Sequence, residues 1–247
     1  MANASPALTG LPVLYGADIY QQDTTKKFPL GATGHAFGGN KVYRYGRNNA
    51  STAAVAGNVQ TMAAIEANHE NQLVDVSAAI DAYQVTVNVG ATAAAKDLYA
   101  EGEFCVNDAT GEGISYRVLG NAAISSSGTG LIYLAEPLQV ALTLDVSEFT
   151  LKRNLYDRFL IGADQTLQAV GIANKAIAVD LYAWLQTRGL CATLADETIA
   201  VGSGVVIGSS LDGSVETADT DDVVPFIGIA TQAAVDTEHR LIYLTID

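Results

Sequence analysis

Histidine, cysteine, tryptophan and basic charge are all scarce in these 247 residues: three His, two Cys, one Trp, and 13 Lys or Arg against 27 Asp or Glu. Each shortage excludes something. Cys105 and Cys191 lie in different halves of the chain, and neither belongs to a Cys-x-x-Cys or Cys/His pair, so no disulfide framework is expected. Both are read as reduced, buried thiols that behave as small hydrophobes. His35, His69 and His239 show no i, i+4 pairing and no His-Glu-x-x-His, which removes the common zinc patterns and leaves surface or hydrogen-bonded histidines. No run approaches the ~18 apolar residues of a membrane helix. Met1–Leu11 lacks a basic n-region and an apolar h-region, so no signal peptide is expected and the protein is read as made in a cytoplasm. At a net charge of −14, the clustered cations that phosphate binding requires are missing, which argues against nucleic acid as a partner.

The charge is uneven. Residues 1–47 hold five cations, Lys26, Lys27, Lys41, Arg44 and Arg47, against Asp18 and Asp23, a net +3 that leaves −17 for the remainder. An acidic body with a weakly basic leading segment points to one region that docks elsewhere.

Period-two alternation recurs, the mark of half-buried strands. It is seen in Val85, Val87 and Val89, and again in Val140, Leu142, Leu144 and Val146. Turn clusters separate such runs: Asn107 to Gly113, Ser125 to Gly130, and Leu211-Asp212-Gly213. The first of them predicts a hairpin joining Phe104-Cys105-Val106 to Ile114–Val118. Residues 240–247 have apolar side chains on both faces (Leu241 and Tyr243; Ile242, Leu244 and Ile246), which predicts a strand inside a sheet or an oligomer. Residues 50–67 are Ala-rich and read equally as helix or extended chain, with Gly57-Asn58 unfavourable to helix. The expected fold is mainly β, in three blocks: an extended N-terminal arm with some strands (1–74), an additional, inserted β domain (75–152) and a small C-terminal β module (153–247).

Chemistry-bearing motifs are hard to find. There is no Gly-x-Ser-x-Gly elbow, and Gly202-Ser203-Gly204 and Gly111-Glu112-Gly113 match neither a dinucleotide nor a phosphate loop. The acidic run Glu216, Asp219, Asp221, Asp222 lacks calcium-loop spacing and reads as solvated. Asn3-Ala4-Ser5 and Asn49-Ala50-Ser51 match the glycosylation pattern, which matters only in a secreted protein. Trp184 reads either as the packed centre of the last β unit or as a contact with a partner subunit. No catalytic residue, metal site or cofactor is assigned.

Several stretches carry a resemblance. They are Val170-Gly171-Ile172-Ala173, Tyr182 to Gly189, Val201-Gly202-Ser203-Gly204-Val205-Val206, Ile227-Gly228-Ile229-Ala230 and Val235 to Asp247. Through these, residues 166–247 resemble the C-terminal β-tulip-like module of bacteriophage head decoration (cement) proteins. Upstream, Ala56 to Gln60, Ala67-Asn68-His69, Val89 to Ala94 and Gly111 to Arg117 are similar to phage virion structural proteins. The resemblance tips residues 54–62 towards extended chain. It implies a non-enzymatic virion protein, commonly a homotrimer, on the outside of a tailed-phage head. Its partner would be the major capsid protein, with no membrane involved. Lys26, Lys27, Lys41, Arg44 and Arg47 are then the expected capsid contacts, and Trp184, Leu241 and Tyr243 the expected trimer or core residues. The alternatives are a tail, collar or fibre component, or a head-surface adhesin for host glycans using Tyr15, Tyr20, Tyr43, Tyr45 and Tyr99. A carbohydrate hydrolase would need two carboxylates facing each other in a groove, and no pair is marked out.

Overall fold

The computed structural model describes residues 12–36, 39–163, 165–219 and 224–247; Asn3-Ala4-Ser5, Asp221 and Asp222 lie outside them. Among the described residues there are strands, one 3₁₀ turn (Asp18–Tyr20) and no α-helix. Five strands come first: β1 (Val13–Leu14), β2 (Gln22–Asp23), β3 (Thr33–Ala36), β4 (Val42–Asn48) and β5 (Val59–Thr61). Six follow: β6 (Gln72–Leu73), β7 (Gln84–Asn88), β8 (Glu103–Asp108), β9 (Ser115–Asn121), β10 (Thr129–Leu134) and β11 (Glu148–Lys152). The last seven are β12 (Asp157–Ile161), β13 (Ala169–Ala173), β14 (Tyr182–Leu194), β15 (Gly204–Ile207), β16 (Val215–Thr217), β17 (Phe226–Ala230) and β18 (His239–Thr245).

Residues 64–155 form one unit, and residues 1–63 with 156–247 form the other. This differs from three consecutive blocks, because the N-terminal strands are not an arm of their own. A strand has unpaired N–H and C=O groups along both edges. In β4 one edge is met by β12 and the other by β14, so residues from both ends of the chain share a sheet.

Within the discontinuous unit the strands close on themselves. The first ring runs β4–β12–β5–β13–β14 and back to β4. β14 is 13 residues long. Its first half belongs to this ring and its second half, from Arg188 to Leu194, pairs with β18. From there a second ring continues β18–β17–β15–β16 and is closed by a single bridge from Val215 to Ala195. Ring closure removes most sheet edges, and with them the hazard of edge-to-edge aggregation. Ile172, Cys191, Ile199, Val205, Ile227, Ile242 and Leu244 fill one core of this unit. Leu14, Tyr43, Tyr45 and Trp184 fill another. β18 lies between β14 and β17, inside the sheet as its two apolar faces predict.

The segment 54–62 is not helical: Ala54 bridges to Ile177, a turn follows at Ala56–Gly57, and Val59–Thr61 is β5. Gly57 has φ +81°, and a Cβ there would lie 2.3 Å from the His239 ring, so this glycine is required for a close approach and not merely tolerated.

Residues 64–155 form a six-stranded sheet, β6–β11–β8–β9–β10–β7, closed by a bridge between Val74 and Val87. Val85, Val87 and Val89 all point into its core, as alternation predicts, with Phe104 stacked on Phe149 at 5.1 Å. The hairpin of β8 and β9 pairs Phe104 with Tyr116 and Cys105 with Ser115. Cys105 is half-buried, since Phe104 and Val106 take the inward positions. The alternation at 140–146 is not a strand. Leu142 alone is buried, Asp145 takes φ +56°, Leu144 and Val146 face solvent, and the strand begins at Glu148.

Candidate docking face and adjoining cleft

Alternation along the second half of β14 puts Gly189 and Cys191 inside and Arg188, Leu190 and Ala192 outside. Register then extends the outer row: Leu190 opposes Tyr243 of β18, which opposes Ile229 of β17, and Ala192 opposes Leu241. Leu190, Leu241 and Ile229 are each about two-fifths exposed. Single exposed aliphatics are ordinary, whereas an in-register apolar row across three strands makes a continuous face. No Asp or Glu occurs in β14, β17 or β18, in a chain with 27 of them.

Beside this face lies a cleft of about 410 Å³, with Tyr20, Lys41, Leu190, Cys191, His239 and Leu241 among its lining. Its floor is a saturated polar network. The Gln186 amide donates to the carbonyls of Arg188 (3.0 Å), Gly189 (3.3 Å) and Leu190 (3.0 Å). Its Oε1 accepts from Asn174 Nδ2 at 3.0 Å, and Cys191 Sγ donates to Asn174 Oδ1 at 3.4 Å. By holding three successive carbonyls, Gln186 fixes the irregularity where β14 leaves the first ring and enters the second. Gly189 completes the bend: its φ is +86°, and a Cβ there would press on Lys41, 3.3 Å from Cγ. Burial pushes the Cys191 thiol up to about 12 and raises the Tyr43 phenol as well.

The five cations of the leading segment do not form one patch. Arg44 makes a two-pronged pair with the Asp247 side chain (2.6 and 2.7 Å), whose carboxyl is held low by that hydrogen bond. Arg47 pairs in the same way with Asp157 (2.7 and 3.0 Å). Burial would lower the Arg47 guanidinium, and the Asp157 carboxylate, with Tyr182 and Asp180 adding to it, raises it overall. Both arginines therefore tie β4 to distant parts of their own unit. Lys27 pairs with Asp23, Lys26 is exposed, and Lys41 is half-buried at the cleft. Trp184 is 4% exposed, with ring centroids 5.1 Å from Tyr45 and 5.2 Å from Phe28, while Leu241 and Tyr243 lie on the outer face.

Of the aromatic residues considered for glycan stacking, Tyr43, Tyr45 and Tyr99 are buried and only Tyr15 and Tyr20 are exposed, so the five make no platform. His69 is fully buried: it donates from Nε2 to the Thr92 carbonyl (2.7 Å) and accepts from the Tyr99 hydroxyl. Asn49 is buried, and its amide donates to Thr52 and Phe159 carbonyls. Glu216 accepts from Gln165 and Ser209, bracing its loop. Among the described residues no three His, Cys, Asp or Glu side chains are placed to share a metal ion, and no helix is long and apolar enough to cross a membrane.

Sequence reading missed Leu190, Ile229, Asn174 and Gln186. The outward phase of Leu190 and Ala192 about Cys191 was its one available signal; the floor network depends on pairings between distant strands. No protein-family model, curated protein or solved structure matches the chain.

Proposed function

We propose that this chain is a virion structural protein, a decoration (cement) protein that binds the outer surface of a tailed-phage head and holds it against the pressure of the packaged DNA. The observation that carries the reading is the outer face of β14, β18 and β17: apolar residues in register, without a carboxylate, on an otherwise acidic chain. A face of this kind supplies the apolar centre that protein interfaces need, with polar residues around it. Its partner is the major capsid protein, with a second role in joining copies of the chain into a homotrimer. Weak contacts repeated over a lattice act together, so each copy needs only modest affinity. The protein is made in the host bacterial cytoplasm and ends on the head surface.

The test is reconstruction by electron microscopy of heads incubated with the wild-type protein and with Leu190→Asp/Ile229→Asp. Both changes fall on outward positions, so the variant is expected to melt like the wild type and leave heads bare. Heads equally decorated by the folded variant would overturn the assignment of this face.

A further inference from the structure

The cleft beside the docking face has a lining of its own kind. Lys41, Tyr20 and His239 line it together with Leu190 and Leu241. Among the described residues no carboxylate lines it. Lys41 makes no ion pair with the described residues. The floor offers nothing further, because Gln186 and Asn174 are bonded to the backbone and to each other. What the cleft lacks is therefore an anion for Lys41 and apolar matter for the two leucines. We infer that it is a binding site for a carboxylate borne on a short aliphatic group. The carboxylate would lie at Lys41, within reach of Tyr20, and the aliphatic part between Leu190 and Leu241. Its volume falls in the range of small-molecule sites. Leu190 and Leu241 also belong to the docking face, so the site is that of the free protein, and its test needs no phage head.

N-acetyl-L-leucine and N-acetyl-L-leucinamide are suitable probes, since they have the same aliphatic group and nearly the same shape, and the amide replaces the charged, acceptor-only carboxylate with a neutral group. Each is titrated into the ¹⁵N-labelled full chain while the amide signals of Gly57, Leu190, Ala192 and Leu241 are followed. The acid is expected to bind about fivefold more tightly than the amide, the upper end for a partly exposed ion pair. Raised salt should narrow that ratio. Lys41→Gln should abolish it at an unchanged melting temperature, and Lys41→Arg should keep it. Equal binding of the two probes, no shifts at tens of millimolar ligand, or a preference that survives Lys41→Gln would each overturn the assignment. A free acid and a carboxylate presented by a protein are told apart by repeating the titration with the same leucine at the C-terminus of a longer peptide. Tighter binding of the peptide acid identifies a chain terminus as the natural occupant, and equal binding identifies the small acid.

Discussion

Trp184→Ala removes the largest side chain from the cluster of Leu14, Tyr43 and Tyr45. The indole is 4% exposed and touches Tyr45 and Phe28 at ring distances of 5.1 and 5.2 Å, so its loss leaves a cavity that the surrounding strands cannot readily close. Such a truncation costs ~3–5 kcal/mol, against a total stability of ~5–15 kcal/mol for a domain. The discontinuous unit has roughly 155 residues, and a domain of that size loses ~2–4 °C per kcal/mol. The expected fall in melting temperature is therefore ~6–20 °C, read by calorimetry. Trp184→Phe keeps an aromatic ring against Tyr45 and should recover much of the loss. An alanine variant that melts with the wild type but no longer self-associates would refute the core assignment and make Trp184 an interface residue.

Three further outcomes follow from the same geometry. At pH 8 a thiol with its pKa near 12 is thiolate in only about one molecule in 10⁴, so iodoacetamide should modify Cys105 first and Cys191 only on unfolding; comparable rates on the folded protein would contradict its burial. The Arg44 hydrogen bond holds the Asp247 carboxyl below its ordinary value, so the pair's stabilisation is present above the ordinary carboxylate pKa and is lost as pH falls through the lowered one. Both side chains are more than a quarter or about a quarter exposed, which limits the effect to about 1 kcal/mol or less; the melting temperature of Arg44→Gln should converge on that of the wild type in acid, and a gap that widens there would reverse the sign. Residues 64–155 close their own sheet around their own core, so that fragment should fold and melt cooperatively alone, while deletion of residues 1–47, which removes most of β4, should leave the first ring open and the rest of its unit unfolded by circular dichroism.

Much of this architecture is legible locally. Val85, Val87 and Val89 declare a strand because alternation reports burial directly, and residues 240–247 declare an inner strand because both faces are apolar. The same rule fails at Val140–Val146, where a left-handed Asp145 breaks the run and two of the apolar side chains face water. In the leading segment the distant pairings are what local sequence does not show. Two of its five cations have partners within their own unit, Arg44 with Asp247 and Arg47 with Asp157, 203 and 110 residues away. Nothing local encodes pairings at that range, nor the register that aligns Leu190, Tyr243 and Ile229 into one face.

The most direct test of the proposed function is the temperature at which heads stripped of this protein rupture, compared with heads to which it has been added back. A ligand that binds only the assembled lattice lowers the free energy of that state. Rupture is therefore expected at a higher temperature in re-decorated heads, rising with occupancy, and Leu190→Asp/Ile229→Asp should give no rise. Equal rupture temperatures at full occupancy would contradict a stabilising role.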